Sequence, residues 1–141
     1  MRPIPDCAFI SETWLNGSLP DGFVCHPDFN ICRNDRKTRG GGVCIITTKS
    51  LSSFSVPIPP KFGHFDVVCI EIVYKHTSLP YFVNVCRPPR FPVRDREVCD
   101  DLIACLDYVG SGGNRSTLIV TGDLNLLDFG LTVLLRMMVF S

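Results

Sequence analysis

The sequence contains no Cys-x-x-Cys pair, which removes the ligand spacing of a zinc ribbon. It has no Gly-x-x-x-x-Gly-Lys either. The three glycines at 40–42 are therefore a weak likeness to a phosphate cradle, and the residues after them read as a strand rather than the helix such a cradle needs. Histidine is scarce. His26, His64 and His76 lie scattered in loop-like sequence without metal-ligand spacing, and none follows His76. No charge prevails, since 14 Lys and Arg balance 14 Asp and Glu, so a global basic field for nucleic acid is absent while a local one stays open. The first six residues lack an apolar h-region, and no signal peptide is expected. The mostly apolar stretch 126–141 is too short, and with Asp128 and Arg136 too charged, for a membrane span.

What is present suits one domain of ordinary size. The chain has 141 residues, 45% of them apolar, with eleven Pro and eleven Gly that favour loops and short strands over a helical bundle. Eight cysteines sit mostly in apolar runs (Cys7, Cys44, Cys69, Cys86) or in a helical pattern (Cys99, Cys105), which reads as buried thiols in a reducing compartment.

The stretch Leu118-Ile119-Val120-Thr121-Gly122-Asp123-Leu124-Asn125 organises the rest. Apolar β-formers run into a glycine, then an acid and an amide two residues apart, which in a strand share a face. This is either a strand ending at a functional rim or an ordinary turn, because Gly, Asp and Asn are also turn formers. Cys7-Ala8-Phe9-Ile10 is a second short strand, and Glu12 stands just past its end, as a site residue or as a solvated one. Phe23-Val24-Cys25 reads as a further short strand. The segment 33–39 carries four bases and one acid before the three glycines. It reads as a solvated hairpin loop or a phosphate contact, followed by a strand at 43–47. Residues 51–65 read as loop, with prolines at 57, 59 and 60 excluding a central strand. Strands at 67–74 and 81–86 form a plausible hairpin across 75–80. The spacing of Val98, Leu102, Cys105, Leu106 and Val109 predicts a helix over 93–109, with Asp95 suited to its start and the glycines at 110, 112 and 113 to its end. Hairpin, helix and strand together predict a layered α/β fold with a mixed sheet. The tail is a buried helix or not the natural continuation of the domain.

In order, Ile10-Ser11-Glu12-Thr13-Trp14-Leu15, Arg39-Gly40-Gly41-Gly42-Val43, Val85-Cys86-Arg87-Pro88-Pro89 and Thr121-Gly122-Asp123-Leu124-Asn125-Leu126 resemble the endonuclease/exonuclease/phosphatase superfamily. The wording is closest to the endonuclease domain of non-LTR retrotransposons. The resemblance implies residues 5–128 as the N-terminal half of a four-layer α/β sandwich with two central sheets, and 129–141 as an atypical apolar tail. It implies Glu12 as the ligand of a Mg²⁺ (Mn²⁺ as a substitute), Asp123 as the group that orients or activates water, and Asn125 as donor to the scissile phosphate. Arg39 and Arg87 are weaker candidates for phosphate or nucleic-acid contact. DNA is the implied partner, and the implied location is intracellular and nuclear.

The departures shape the functional expectation. Cys86 stands where the family usually has a Tyr, and a thiol has neither the reach nor the donor strength of a phenol. The Asn of the family's first strand and the terminal Ser-Asp-His have no counterpart here, and the family's domain is considerably longer than 141 residues. The expectation is a fragment of a Mg²⁺-dependent phosphodiester-cleaving endonuclease domain from a retrotransposon-like polyprotein, inactive as it stands. The alternatives are a non-catalytic protein-interaction module and a phosphatase-branch member. Half a two-sheet sandwich is further expected to leave one sheet's inner face uncovered and to self-associate through it.

Overall fold

The computed structural model describes residues 5–78, 80–88, 95–112 and 117–125. The expected tail at 126–141, Pro89 and the helix start expected at 93–94 lie outside them.

Two sheets form from strands that alternate in which core they feed. β1 (Cys7–Ser11), β2 (Phe29–Asn34) and β3 (Val43–Thr48) make an antiparallel sheet in the order β1-β3-β2. β4 (Ser52–Ser55), β5 (Asp66–Tyr74), β7 (Tyr81–Cys86) and β8 (Leu118–Asp123) make the second sheet in that order, with the two-residue β6 (Thr77–Ser78) also paired to β5. Strand β8 runs parallel to β7 while the other pairs are antiparallel, so the sheet is mixed. A parallel pair needs a crossover, and α2 (Asp95–Ser111) lies within it.

Strand β5 is apolar and buried on both faces from Val67 to Ile70. Val67 and Cys69 join one core with Val83, Val85, Leu118 and Val120, under the Val98, Leu102, Cys105, Leu106 and Val109 seam of α2. Val68, Ile70 and Ile72 point the other way and meet Val43, Ile45 and Cys86 in a second core between the sheets. Phe9 and Phe82 close that core with ring centroids 5.9 Å apart. Helix, five-stranded sheet and three-stranded sheet are thus three layers of the expected sandwich.

The two sheets face each other across the second core, so the inner face of the five-stranded sheet is covered over β5 and β7. Among the described residues β8 ends its sheet, and its Ile119, on the same face as Phe82, is 40% exposed. Three local expectations change. Residues 23–25 are not a strand. Asp21–Val24 form one helical turn, α1, because Pro20 and Asp21 carbonyls accept from the Phe23 and Cys25 amides at 3.0 and 2.9 Å; the apolar Phe23 is left 86% exposed. Within the expected loop 51–65, Ser52–Ser55 form β4, an edge strand whose partner β5 supplies pairing that a serine-rich sequence does not advertise. Finally, α2 continues through Gly110 to Ser111, two residues past its last buried apolar residue.

One buried side chain ties the sheets together. Asn84 of β7 is 1% exposed, and its Nδ2 donates to the carbonyls of Ile10 and Cys44, both at 3.0 Å. Those two residues are register partners on β1 and β3. The Thr121 hydroxyl of β8 donates to Asn84 Oδ1 at 3.2 Å. Asn84→Ala removes a donor from two carbonyls and an acceptor from a hydroxyl, all inside the protein. It is expected to lower the unfolding free energy by about 2–4 kcal/mol, read as a lower urea midpoint at unchanged slope.

Candidate phosphate-facing rim

The register aligns one row of polar side chains at the end of the second sheet. Asp66 of β5 faces Cys86 of β7, and Cys86 faces Asp123 of β8. The end of β1 arrives beside them, held there by Asn84, and its next residue is Glu12. Glu12 Oε1 accepts from the Cys86 thiol at 3.2 Å, and Oε2 accepts from the Gly41 amide at 3.0 Å.

Glu12 reaches that position through an uncommon backbone. Its φ is 55° and that of Trp14 is also 55°, in the left-handed region that costs a residue with Cβ roughly 1–2 kcal/mol. The cost is offset by bonds to the β2–β3 loop: the Thr13 and Trp14 amides donate to the Gly42 and Gly41 carbonyls at 3.3 and 2.9 Å. The loop comes this close because Gly42, at φ 86°, carries no side chain: a Cβ there would lie 2.5 Å from Thr13 Oγ1. Gly41, at φ 71°, leaves room for Arg36, whose Cζ would lie 1.9 Å from a Cβ there. Arg36 is committed to Asp66, donating from Nε to Oδ2 at 2.9 Å, and the Gly42 amide donates to the same oxygen at 3.0 Å. The expected hairpin loop is therefore a hairpin loop docked onto the strand ends, not a free one.

The β8 end is shaped by a second glycine. Gly122 has φ 132°, and a Cβ would fall 1.8 Å from the Val85 carbonyl oxygen, so only glycine allows β8 to lie this close to β7. Beyond it Asp123 is exposed, and its Oδ1 accepts from the Asn125 amide N–H at 3.1 Å. Asn125 sits at φ 44°, a conformation Asn tolerates, and its Nδ2 donates to the Arg87 carbonyl at 2.8 Å. The Arg87 amide in turn donates to the Asp123 carbonyl at 2.9 Å.

The rim thus gathers Glu12, Cys86, Asp123 and Asn125. The two arginines are placed apart from one another. Arg39 is exposed on the loop, its guanidinium carbon 5.9 Å from the centroid of the Trp14 ring. Arg87 is 4% exposed, with Nη1 bonded to Asp95 Oδ1 at the start of α2, so its guanidinium fastens the crossover rather than facing solvent. Sequence reading passed over Asp66, Arg36 and Asn84. Asn84 was detectable as the one amide inside an apolar strand, whereas Asp66 and Arg36 carry no signal without the fold. Among the described residues, no group of three or more His, Cys, Asp and Glu side chains is arranged to hold a metal ion. No helix there is long and apolar enough to cross a membrane.

The geometry can be set beside solved structures. The Danio rerio TDP2 complexed with single-strand DNA product superposes with a TM-score of 0.58 at 17% identity, covering 88% of this chain and 49% of that one. The human Nocturnin catalytic domain with bound sulfate anion gives 0.61 at 13% identity, covering 87% and 52%. Truncated Caenorhabditis elegans TDP2 gives 0.57 at 15% identity, covering 88% and 51%. These proteins have the endonuclease/exonuclease/phosphatase fold, and the mixed α/β, two-sheet architecture described above matches it. The chain spans about half the length of the solved structures it matches. No protein-family model matches the sequence, and no curated protein matches it.

All eight cysteines are free thiols. Burial pushes Cys86 up to about 11, with the hydrogen bond and charge of Glu12 adding to it. Burial likewise raises Cys44 and Cys105 to about 11 and Cys69 to about 12, from an ordinary 9.0. Unfolded thiols ionise near 9.0 while these native ones keep their protons, so between those values the folded state binds more protons. Stability from this source is complete below about pH 9 and is lost as pH rises through about 11. The urea midpoint is expected to fall steadily over that interval, and Cys69→Ala and Cys105→Ala together are expected to flatten the fall.

Proposed function

We propose that this chain supplies half of a Mg²⁺-assisted phosphodiester-cleaving site acting on DNA, of the retrotransposon endonuclease type, and that the 141-residue polypeptide by itself does not turn over. The observation that carries this reading is the convergence of Glu12 with Asp123 and Asn125, from opposite ends of the chain, around Cys86 at one rim. The TDP2 structure that shares the fold holds a single-strand DNA product, which favours nucleic acid as the substrate class. Intracellular, nuclear placement is part of the same reading.

This reading takes Glu12 as the carboxylate that would hold a hard divalent cation, with water completing its coordination. Glu12 presents carboxylate oxygens that accept from the Gly41 amide and the Cys86 thiol and retain acceptor capacity. Mg²⁺ retains several waters and needs one or two carboxylates, and Mn²⁺ suits the same oxygens. When bound on Glu12, the cation supplies Lewis-acid stabilisation of charge on a phosphoryl oxygen. The chain's own residues do the rest. Asp123, exposed at the rim, accepts a hydrogen bond from the attacking water and orients it. Asn125 is held by its bond to Arg87 and has a second amide N–H for a phosphoryl oxygen. No histidine follows His76 to act as a positioned base in this polypeptide, and such a group contributes about 10²–10⁴-fold.

The test is nicking of supercoiled plasmid in Mg²⁺, with the protein shown folded by circular dichroism. No nicking above an Asp123→Ala control is expected, alongside Mn²⁺ binding by calorimetry that Glu12→Gln abolishes. Nicking that Asp123→Ala removes would refute the inactivity, and absence of Mn²⁺ binding would refute the metal assignment.

A second reading, a protein-interaction module, rests on the open edge of β8, which presents unpaired backbone groups among the described residues. It expects self-association through that edge. A monodisperse monomer in size-exclusion chromatography with light scattering counts against it.

A further inference from the structure

Trp14 is the single tryptophan of the chain, and 60% of it is exposed. It belongs to neither core. A large ring left in water forgoes the burial that normally fixes an aromatic side chain, yet here the backbone fixes its place. Its amide donates to the Gly41 carbonyl, and its φ of 55° is held by the loop that also bonds Glu12. The ring lies along Gly40, where an added Cβ would already be in contact at 3.5 Å from Cζ2. The Arg39 guanidinium flanks the ring, and Lys37 on the same loop is exposed. Arg36, the third cation of this loop segment, is turned inward to Asp66. Exposed Tyr74 is also paired with a cation, Lys75 Nζ at 5.2 Å, but it stands at the opposite end of β5 from Asp66, so Trp14 and Arg39 are the ring and charge that lie beside Glu12.

We propose that Trp14 and Arg39 form a stacking platform for an unpaired nucleobase of a single-stranded nucleic acid whose backbone runs past the Glu12–Asp123 rim. The indole offers a flat π-face that any base can stack on, and the guanidinium adds both cation–π attraction and charge for the adjoining phosphate. An inositol polyphosphate or other sugar phosphate, lacking a base, has use for the cations but none for the ring. The proposal rests on the nucleic-acid reading of the rim. It does not need catalysis.

Because there is one tryptophan, its own fluorescence reports on the platform. The intact chain, without added metal, is titrated with a single-stranded oligodeoxythymidylate and with an abasic sugar-phosphate oligomer of the same length. Saturable quenching by the first and little by the second is expected. Labelled-oligonucleotide anisotropy is expected to show Trp14→Ala binding about ten-fold more weakly, Trp14→Phe largely restoring affinity, and Arg39→Ala binding several-fold more weakly with a reduced salt dependence. All three variants are checked for native circular dichroism. Equal quenching by the abasic oligomer, or oligonucleotide affinity unchanged in folded Trp14→Ala, overturns the platform while leaving the nucleic-acid reading intact. No binding of either oligomer overturns both.

Discussion

Everything at the rim depends on a buried amide. Asn84 lies in a strand otherwise made of apolar residues, at a position where the two sheets face each other. An unpaired amide there would be costly, and a paired one fixes the alignment of three strands at once. Its Nδ2 joins the carbonyls of Ile10 and Cys44, and its Oδ1 receives the Thr121 hydroxyl. Apolar packing between sheets tolerates sliding by a residue's breadth; directional bonds to specific carbonyls do not. That constraint sets how far the end of β1 reaches along the end of β7, and therefore brings Glu12 against Cys86 rather than above or below it.

The second constraint is the close approach of backbones that carry no side chains. Gly42 lets the β2–β3 loop press onto Thr13, Gly41 leaves room for Arg36 within that loop, and Gly122 lets β8 lie against Val85. Strained φ values at Glu12 and Trp14 persist because the loop's amides and carbonyls over-determine them. Two arrangements that look like local oddities, three consecutive glycines and two non-glycine residues in the left-handed region, are one arrangement seen from its two sides.

Much of this was legible in the residues, for identifiable reasons. The strands at 67–74 and 81–86 and the helix on Val98 to Val109 announce themselves by period and composition, because each is buried along a whole face. That Glu12, Asp123 and Asn125 stand at strand ends was legible from the apolar runs before them. What stayed hidden depends on partners distant in the chain. Ser52–Ser55 is a strand because β5 lies beside it, and nothing in four residues that include three serines says so. Phe23 invited a strand reading because it is apolar, yet the preceding Pro20 and Asp21 start a helical turn that leaves it in water. Arg87 was a weaker phosphate-contact candidate through the motif that carries the family resemblance. Its burial against Asp95 follows from where α2 begins, which spacing alone does not fix.

The parallel pairing of β7 with β8 has a consequence for the order in which the molecule assembles. The β2–β3 and β5–β7 hairpins join neighbours along the chain and close on the microsecond scale. β1 must cross the whole of the β2–β3 hairpin's sequence to find β3, and β8 joins β7 after α2 has packed over the sheet, so both carry a large loop-closure entropy. Glu12 and Asp123 stand at the ends of those two late strands. The rim therefore comes into being with the last contacts of the fold. A partly folded chain has both cores begun and neither Glu12 nor Asp123 yet brought beside Cys86.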